Sequence, residues 1–125
     1  MQLIGHPLVP YKPLYEIQSI EAVATTPPNS LLLIPFKKEH ILHCQQNQLS
    51  FALHVKTLKE AIIGNGAGAS CLIVPYKMAK KMQALADHYL FDAKICLRIK
   101  DENAIEEAAS LGVDIAILPE GICEK

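Results

Sequence analysis

Six ionisable side chains stand where apolar runs give out: His54, Lys56, Lys77, Arg98, Lys100 and Glu120. His54 and Lys56 are two residues apart and so share one face of an extended chain; Arg98 and Lys100 repeat that spacing. Five of the six are cations or a histidine, in a chain whose formal net charge is only −1. Gathered on one edge, they suit a phosphate- or carboxylate-bearing ligand, with the planar fork of Arg98 offering two parallel hydrogen bonds. His54 belongs to the residue type that ordinarily titrates near neutrality, which fits acid–base work. A sharper version is a Schiff-base lysine, Lys56 or Lys100, which would need an apolar pocket to lower its pKa. The competing reading is plain solvation of strand ends, because Lys56 and Lys100 each precede a helix-capping residue.

Other clusters carry less. Gly64-Asn65-Gly66-Ala67-Gly68 ends a predicted helix and precedes a strand, whereas a phosphate loop follows a strand and opens a helix. His40, His43 and Cys44 share a helix face at zinc-ligand spacing, but no fourth ligand is placed and the expectation is a polar face without metal. The paired acids of a phosphoacceptor receiver domain are missing, as are a Gly-x-Ser-x-Gly elbow and a G-x-x-x-x-G-K-[ST] loop. No cofactor is implied.

The elements that must hold the six residues follow from a repeat. Residues 51–75 and 95–119 align without a gap, and Leu53/Leu97, Lys56/Lys100, Gly68/Gly112, Ile73/Ile117 and Pro75/Pro119 are identical pairs. Each copy reads as apolar run, capped helix, glycine and apolar run, the pattern of a β-α-β unit with parallel strands. Extended backward, Ser30–Lys37 matches Ser70–Lys77. Strands are expected near 31–35, 50–55, 71–75, 94–99 and 114–118. Helices are expected near 37–47, 58–66, 77–90 and 102–111, the third with a stripe of Met78, Met82, Leu85, Ala86, Tyr89 and Leu90. Thr57 with Glu60 forms a capping box and Asp101 is the matching N-cap. Gly68 and Gly112 close helices in the left-handed conformation. Continuously apolar strands indicate a sheet covered on both faces. Ligands of such folds sit at the carboxyl ends of the strands, where the six residues fall.

The chain is read as a single α/β domain over 1–125: an N-terminal extension and linker (1–29), two repeats (30–69 and 70–113), and a last strand and tail (114–125). A parallel sheet of about five strands is expected. An open Rossmann-like sheet is favoured over half of a (β/α)8 barrel, because a lone half barrel needs a partner. The segment Ile105–Leu118 resembles a unit of phosphate-binding βα-barrel enzymes, such as small aldolases and thiamine-phosphate-synthase-like proteins: a helix ending E-x-A-x-x-x-G-[AV]-D, then an apolar strand. Glu60–Val74 is a looser example. The resemblance implies βα units and phosphate binding, though the late glycine-rich phosphate loop of those enzymes is absent here.

Composition narrows the classes. Half the residues are hydrophobic, and no apolar run approaches the roughly 20 residues of a membrane span. No basic run exceeds two residues, so neither nucleic acid nor membrane is expected as a partner. Cys44, Cys71, Cys96 and Cys123 form no C-x-x-C pair and are read as reduced thiols of a cytoplasmic protein without a secretion signal. The expected function is binding of a small anionic metabolite at the strand ends. The alternative is a non-catalytic module that forms a homodimer or docks another protein.

Overall fold

The computed structural model describes residues 1–125. Eight parallel strands, β1 (Gln2–Ile4), β2 (Leu14–Glu16), β3 (Leu31–Ile34), β4 (Phe51–His54), β5 (Cys71–Ile73), β6 (Lys94–Arg98), β7 (Ile115–Ile117) and β8 (Ile122–Glu124), form one sheet in the order β1-β7-β6-β5-β4-β3-β2-β8. Four α-helices lie between strands: α1 (Lys38–Gln46), α2 (Leu58–Gly66), α3 (Ala79–Tyr89) and α4 (Ile105–Ser110). No helix is long and apolar enough to cross a membrane.

Strands β2 to β7 neighbour one another in chain order, so the strand order never reverses as it does in a doubly wound sheet. The sheet must also curl. Residues Ile117 and Ile122 are five apart and can span at most about 17 Å. A flat sheet would separate β7 from β8 by six strand intervals, about 29 Å. The architecture is therefore a half-barrel: sequential βα units carrying half the helices of a full (β/α)8 barrel, around a rolled eight-stranded sheet. The expectation of an open Rossmann-like sheet of about five strands is corrected on both counts. Of the extra strands, β2 overlaps Tyr15-Glu16-Ile17, which the sequence offers as a possible strand, whereas β1 and β8 lie outside the repeated apolar runs and are not expected from them. Strands β1 and β2 lie within residues 1–29.

Two apolar clusters mark the two faces. The larger joins sheet residues such as Leu32, Leu53, Leu72 and Leu97 to helix residues Ile41, Ala61, Met82 and Ala108. The smaller contains strand residues only: Ile4, Leu14, Leu33, Ala52, Cys71, Ile73, Cys96, Ile115 and Ile117. These are the inward positions of the curled sheet, alternating with the outward ones as the pleat demands. Where the ends of the sheet meet, packing is tight: a Cβ on Gly121 would come within 2.8 Å of the Ile4 side chain and 3.1 Å of Ile117.

Local signals translate as follows. Thr57 Oγ1 accepts from the Glu60 N–H at 3.1 Å, and Asp101 Oδ1 accepts from Asn103 at 2.9 Å. Gly68 and Gly112 adopt φ of +97° and +79° at helix ends. The apolar stripe of α3 stops at Ala86, however. Tyr89 and Leu90 are 67% and 84% exposed, and Leu90 itself takes the left-handed cap, which turns the chain so that Phe91 packs on the core in their place.

Candidate functional site

Glu16, His54 and Arg98 are the last residues of β2, β4 and β6. Each lies two positions beyond an inward-facing residue, namely Leu14, Ala52 and Cys96. The residue that follows each one is buried against the outer core: Ile17, Val55 and Ile99. Its backbone N–H is pinned to the next strand by an equivalent hydrogen bond, from Ile17 to Leu33 O at 3.1 Å, Val55 to Ile73 O at 3.0 Å and Ile99 to Ile117 O at 2.9 Å. With the following side chain fixed outward, pleat alternation sends Glu16, His54 and Arg98 inward, over an apolar floor that includes Ile73 and Ile117. In barrels, layers of inward side chains come from alternate strands in this way.

The three side chains meet. His54 Nε2 is 2.8 Å from Glu16 Oε2, and Arg98 Nη1 is 3.9 Å from the same oxygen. In a flat sheet β2 and β6 would stand about 19 Å apart, so the meeting is a direct product of the curl. The Glu16 side chain is 12% exposed, against 34% for His54 and 45% for Arg98. The carboxylate is thus the deep member and the two nitrogen bases face the mouth. An ionised carboxylate only accepts hydrogen bonds, so a neutral His54 donates through Nε2 and presents Nδ1 as a lone pair. His54 Nδ1 makes no hydrogen bond and is not among the sealed polar atoms. The Arg98 guanidinium makes none either; its one polar partner is the Glu16 charge.

The other sequence-predicted residues are exposed on the same side of the molecule. The Lys56 backbone N–H donates to Glu60 Oε1 at 2.8 Å, and Lys56 itself is exposed. Lys77 sits in the short 3-10 turn Tyr76–Met78 that leads into α3. Lys100 and Glu120 border a cleft of about 380 Å³ with His6, Asp101 and Glu102, where His6 Nε2 pairs with Glu102 at 3.0 Å. Arg98 and Lys100 also line a cleft of about 530 Å³ running toward α4, beside Tyr76 and Glu107. The rim therefore mixes both signs of charge. The structure brings together His54 and Arg98 and leaves Lys56, Lys77, Lys100 and Glu120 spread around them.

Glu16 is the residue that sequence reasoning missed. A signal existed: Glu16-Ile17-Gln18-Ser19, His54-Val55-Lys56-Thr57 and Arg98-Ile99-Lys100-Asp101 share one frame of ionisable, apolar, polar and capping residue. Ser19, Thr57 and Asp101 all occupy N-cap positions. On α1 the expected polar face is corrected, because His40 and Cys44 are both buried: His40 Nε2 lies 3.4 Å from the Gln18 carbonyl, and desolvation pushes the Cys44 thiol above its ordinary value. No protein-family model matches the chain, and a search of characterised proteins finds no match.

Proposed function

We propose that this chain binds a small anionic metabolite, bearing a phosphate or a carboxylate, at the mouth formed by the carboxyl ends of β2, β4 and β6. The observation that carries this reading is the meeting of Glu16, His54 and Arg98 across the curled sheet, with the Arg98 fork unused by the protein. Guanidinium donors without an internal partner match carboxylate and phosphate oxygens in geometry and charge. The exposed ammonium groups of Lys56, Lys77 and Lys100 add attraction for an anion at low ionic strength. Placement at the strand carboxyl ends is the usual one in βα barrels, which supports the reading by analogy of fold. Four free thiols fit a reducing compartment such as the cytoplasm.

The test is thermal unfolding at low salt against phosphate, sugar phosphates, nucleotides and small carboxylic acids. A ligand at a hundredfold excess over its dissociation constant stabilises by about 2.7 kcal/mol. The expected result is a selective upward shift that Arg98→Ala abolishes without loss of fold. A flat response, or an equal shift in Arg98→Ala, overturns the reading. Self-association is the second reading, favoured by apolar side chains left outside: Ile62 and Ile63 on α2, and Tyr89 and Leu90 at the end of α3. It predicts a solution mass that is a multiple of 13.8 kDa and no stabilising metabolite.

A further inference from the structure

We infer that the mouth is catalytic: His54 Nδ1 acts as a general base on an anion held by Arg98, and the substrate carries a carbonyl with a C–H bond beside it. This rests on the anion-binding reading above and adds the chemistry. The Glu16–His54 pair has the form by which enzymes make a base of an imidazole. In the neutral imidazole, a deep carboxylate accepting from one ring N–H leaves the other nitrogen as a free lone pair. The acid here is Glu16, which is the least exposed of the three, and it is joined to Nε2, so the basic atom is Nδ1. Arg98 lies close enough to the same carboxylate oxygen that an anion on its fork is held beside the imidazole. A salt bridge built for stability would not need the histidine, would engage the guanidinium in hydrogen bonds, and would not leave the imidazole's second nitrogen free.

The step balances within the site. The Nδ1 lone pair takes the proton from the substrate carbon, and the C–H electron pair moves onto the carbonyl oxygen to give an enolate. The imidazolium formed is paired with the Glu16 carboxylate, and the charge growing on the substrate is opposed by Arg98. Return of a proton from His54 to carbon gives exchange, or to a neighbouring atom gives an isomer. No oxidant, metal or second substrate is required. Glu16 is a positioning residue, because it acts through His54.

The experiment follows deuterium incorporation into pyruvate, 2-oxobutyrate and dihydroxyacetone phosphate by proton NMR in D2O, with the thermal shift of each compound measured in parallel. The two kinds of probe distinguish a carboxylate from a phosphate as the anchored group. The expected result is exchange above the buffer rate for a compound that shifts the melting temperature in an Arg98-dependent way. His54→Gln should lower that exchange by about a hundredfold, the ordinary worth of a general base. Glu16→Gln should lower the maximal exchange rate while leaving the anion's dissociation constant unchanged or smaller, a split that a merely structural role would not produce. His54→Asn, with circular dichroism matching the wild type, guards against a misfolded first variant. If an anion binds through Arg98 but exchange stays at the buffer rate, or persists in both His54 variants, the catalytic inference is wrong and the binding reading stands. If no compound binds through Arg98, the binding reading fails and this inference fails with it.

Discussion

Replacing Arg98 by Met separates a binding group from a structural strut. The guanidinium has no hydrogen bond within the protein, and its only charged partner is Glu16 Oε2 at 3.9 Å. At that separation two unit charges attract by about 1 kcal/mol in water and about 4 kcal/mol at an effective dielectric of 20. Arg98 is 45% exposed, so screening and side-chain entropy bring the net contribution into the range of exposed pairs, about 0 to 1 kcal/mol. Methionine keeps most of the aliphatic stem, so packing changes little. Urea unfolding should therefore give an unfolding free energy in water within about 1 kcal/mol of the wild type, equivalent to about 4 °C in melting temperature for a chain of this length. In the same variant the anion-dependent stabilisation should vanish. A loss above about 2 kcal/mol, with anion stabilisation retained, would refute the reasoning, because Arg98 would then be holding the sheet rather than awaiting a ligand.

Gly121→Ala should cost about 1 to 3 kcal/mol, since its Cβ would strike Ile4 and Ile117 where the two ends of the sheet meet; unchanged urea stability would contradict the tight seam. Leu90→Gly should raise stability by about 0.5 to 1 kcal/mol, because Leu90 sits at φ +54° with 84% of its surface exposed; a lower melting temperature would show that its side chain has a partner. Burial pushes the Cys44 thiol above its ordinary value of 9.0, so its contribution to stability is complete below about pH 9 and is lost as pH rises through the folded value. Cys44→Ala should flatten the alkaline limb of a stability–pH curve, and an unaltered limb would count against that assignment. Cys71 runs the other way: the neighbouring Cys96 side chain, with a smaller pull from Lys94, holds its thiol below the ordinary value against burial and the Asp114 charge. In a Cys123→Ser background, iodoacetamide at pH 7.5 should label Cys71 ahead of Cys96 and Cys44 by mass spectrometry; the reverse order would overturn that polarity.

Much of the framework was legible because it is written in apolar runs and caps. Strands β3 to β7 and all four helices fall within a few residues of their expected places, since each strand is covered on both faces and each helix begins at a polar residue or a short 3-10 turn. The curl was legible only as the less favoured alternative, half of a (β/α)8 barrel. It depends on how Gly5 and Gly121 let the ends of the sheet approach, and on three-residue strands whose pairing partners are more than 100 residues away or across a proline-rich turn. For the site, His54 and Arg98 were marked by ionisable residues ending apolar runs. Glu16 was obscured because Tyr15-Glu16-Ile17, though readable as a possible strand, stands outside the repeat, and its frame of Ile17 and Ser19 becomes visible only beside those of His54 and Arg98. The placement of the lysines was not legible for a related reason: a residue type at a strand end says nothing of whether the next turn aims it into the mouth or into water.

An anion bound at the mouth between Glu16, His54 and Arg98 would lie beside the His54 imidazole. The most direct measurement follows the imidazole nitrogens of the five histidines by long-range proton–nitrogen NMR during a titration with phosphate and pyruvate at low ionic strength. The expected result is that His54 alone moves in a saturable manner, that its Nδ1 moves more than its Nε2, and that Arg98→Ala removes the response. A titration in which His54 stays fixed, or in which all five histidines drift together without saturation, would contradict it.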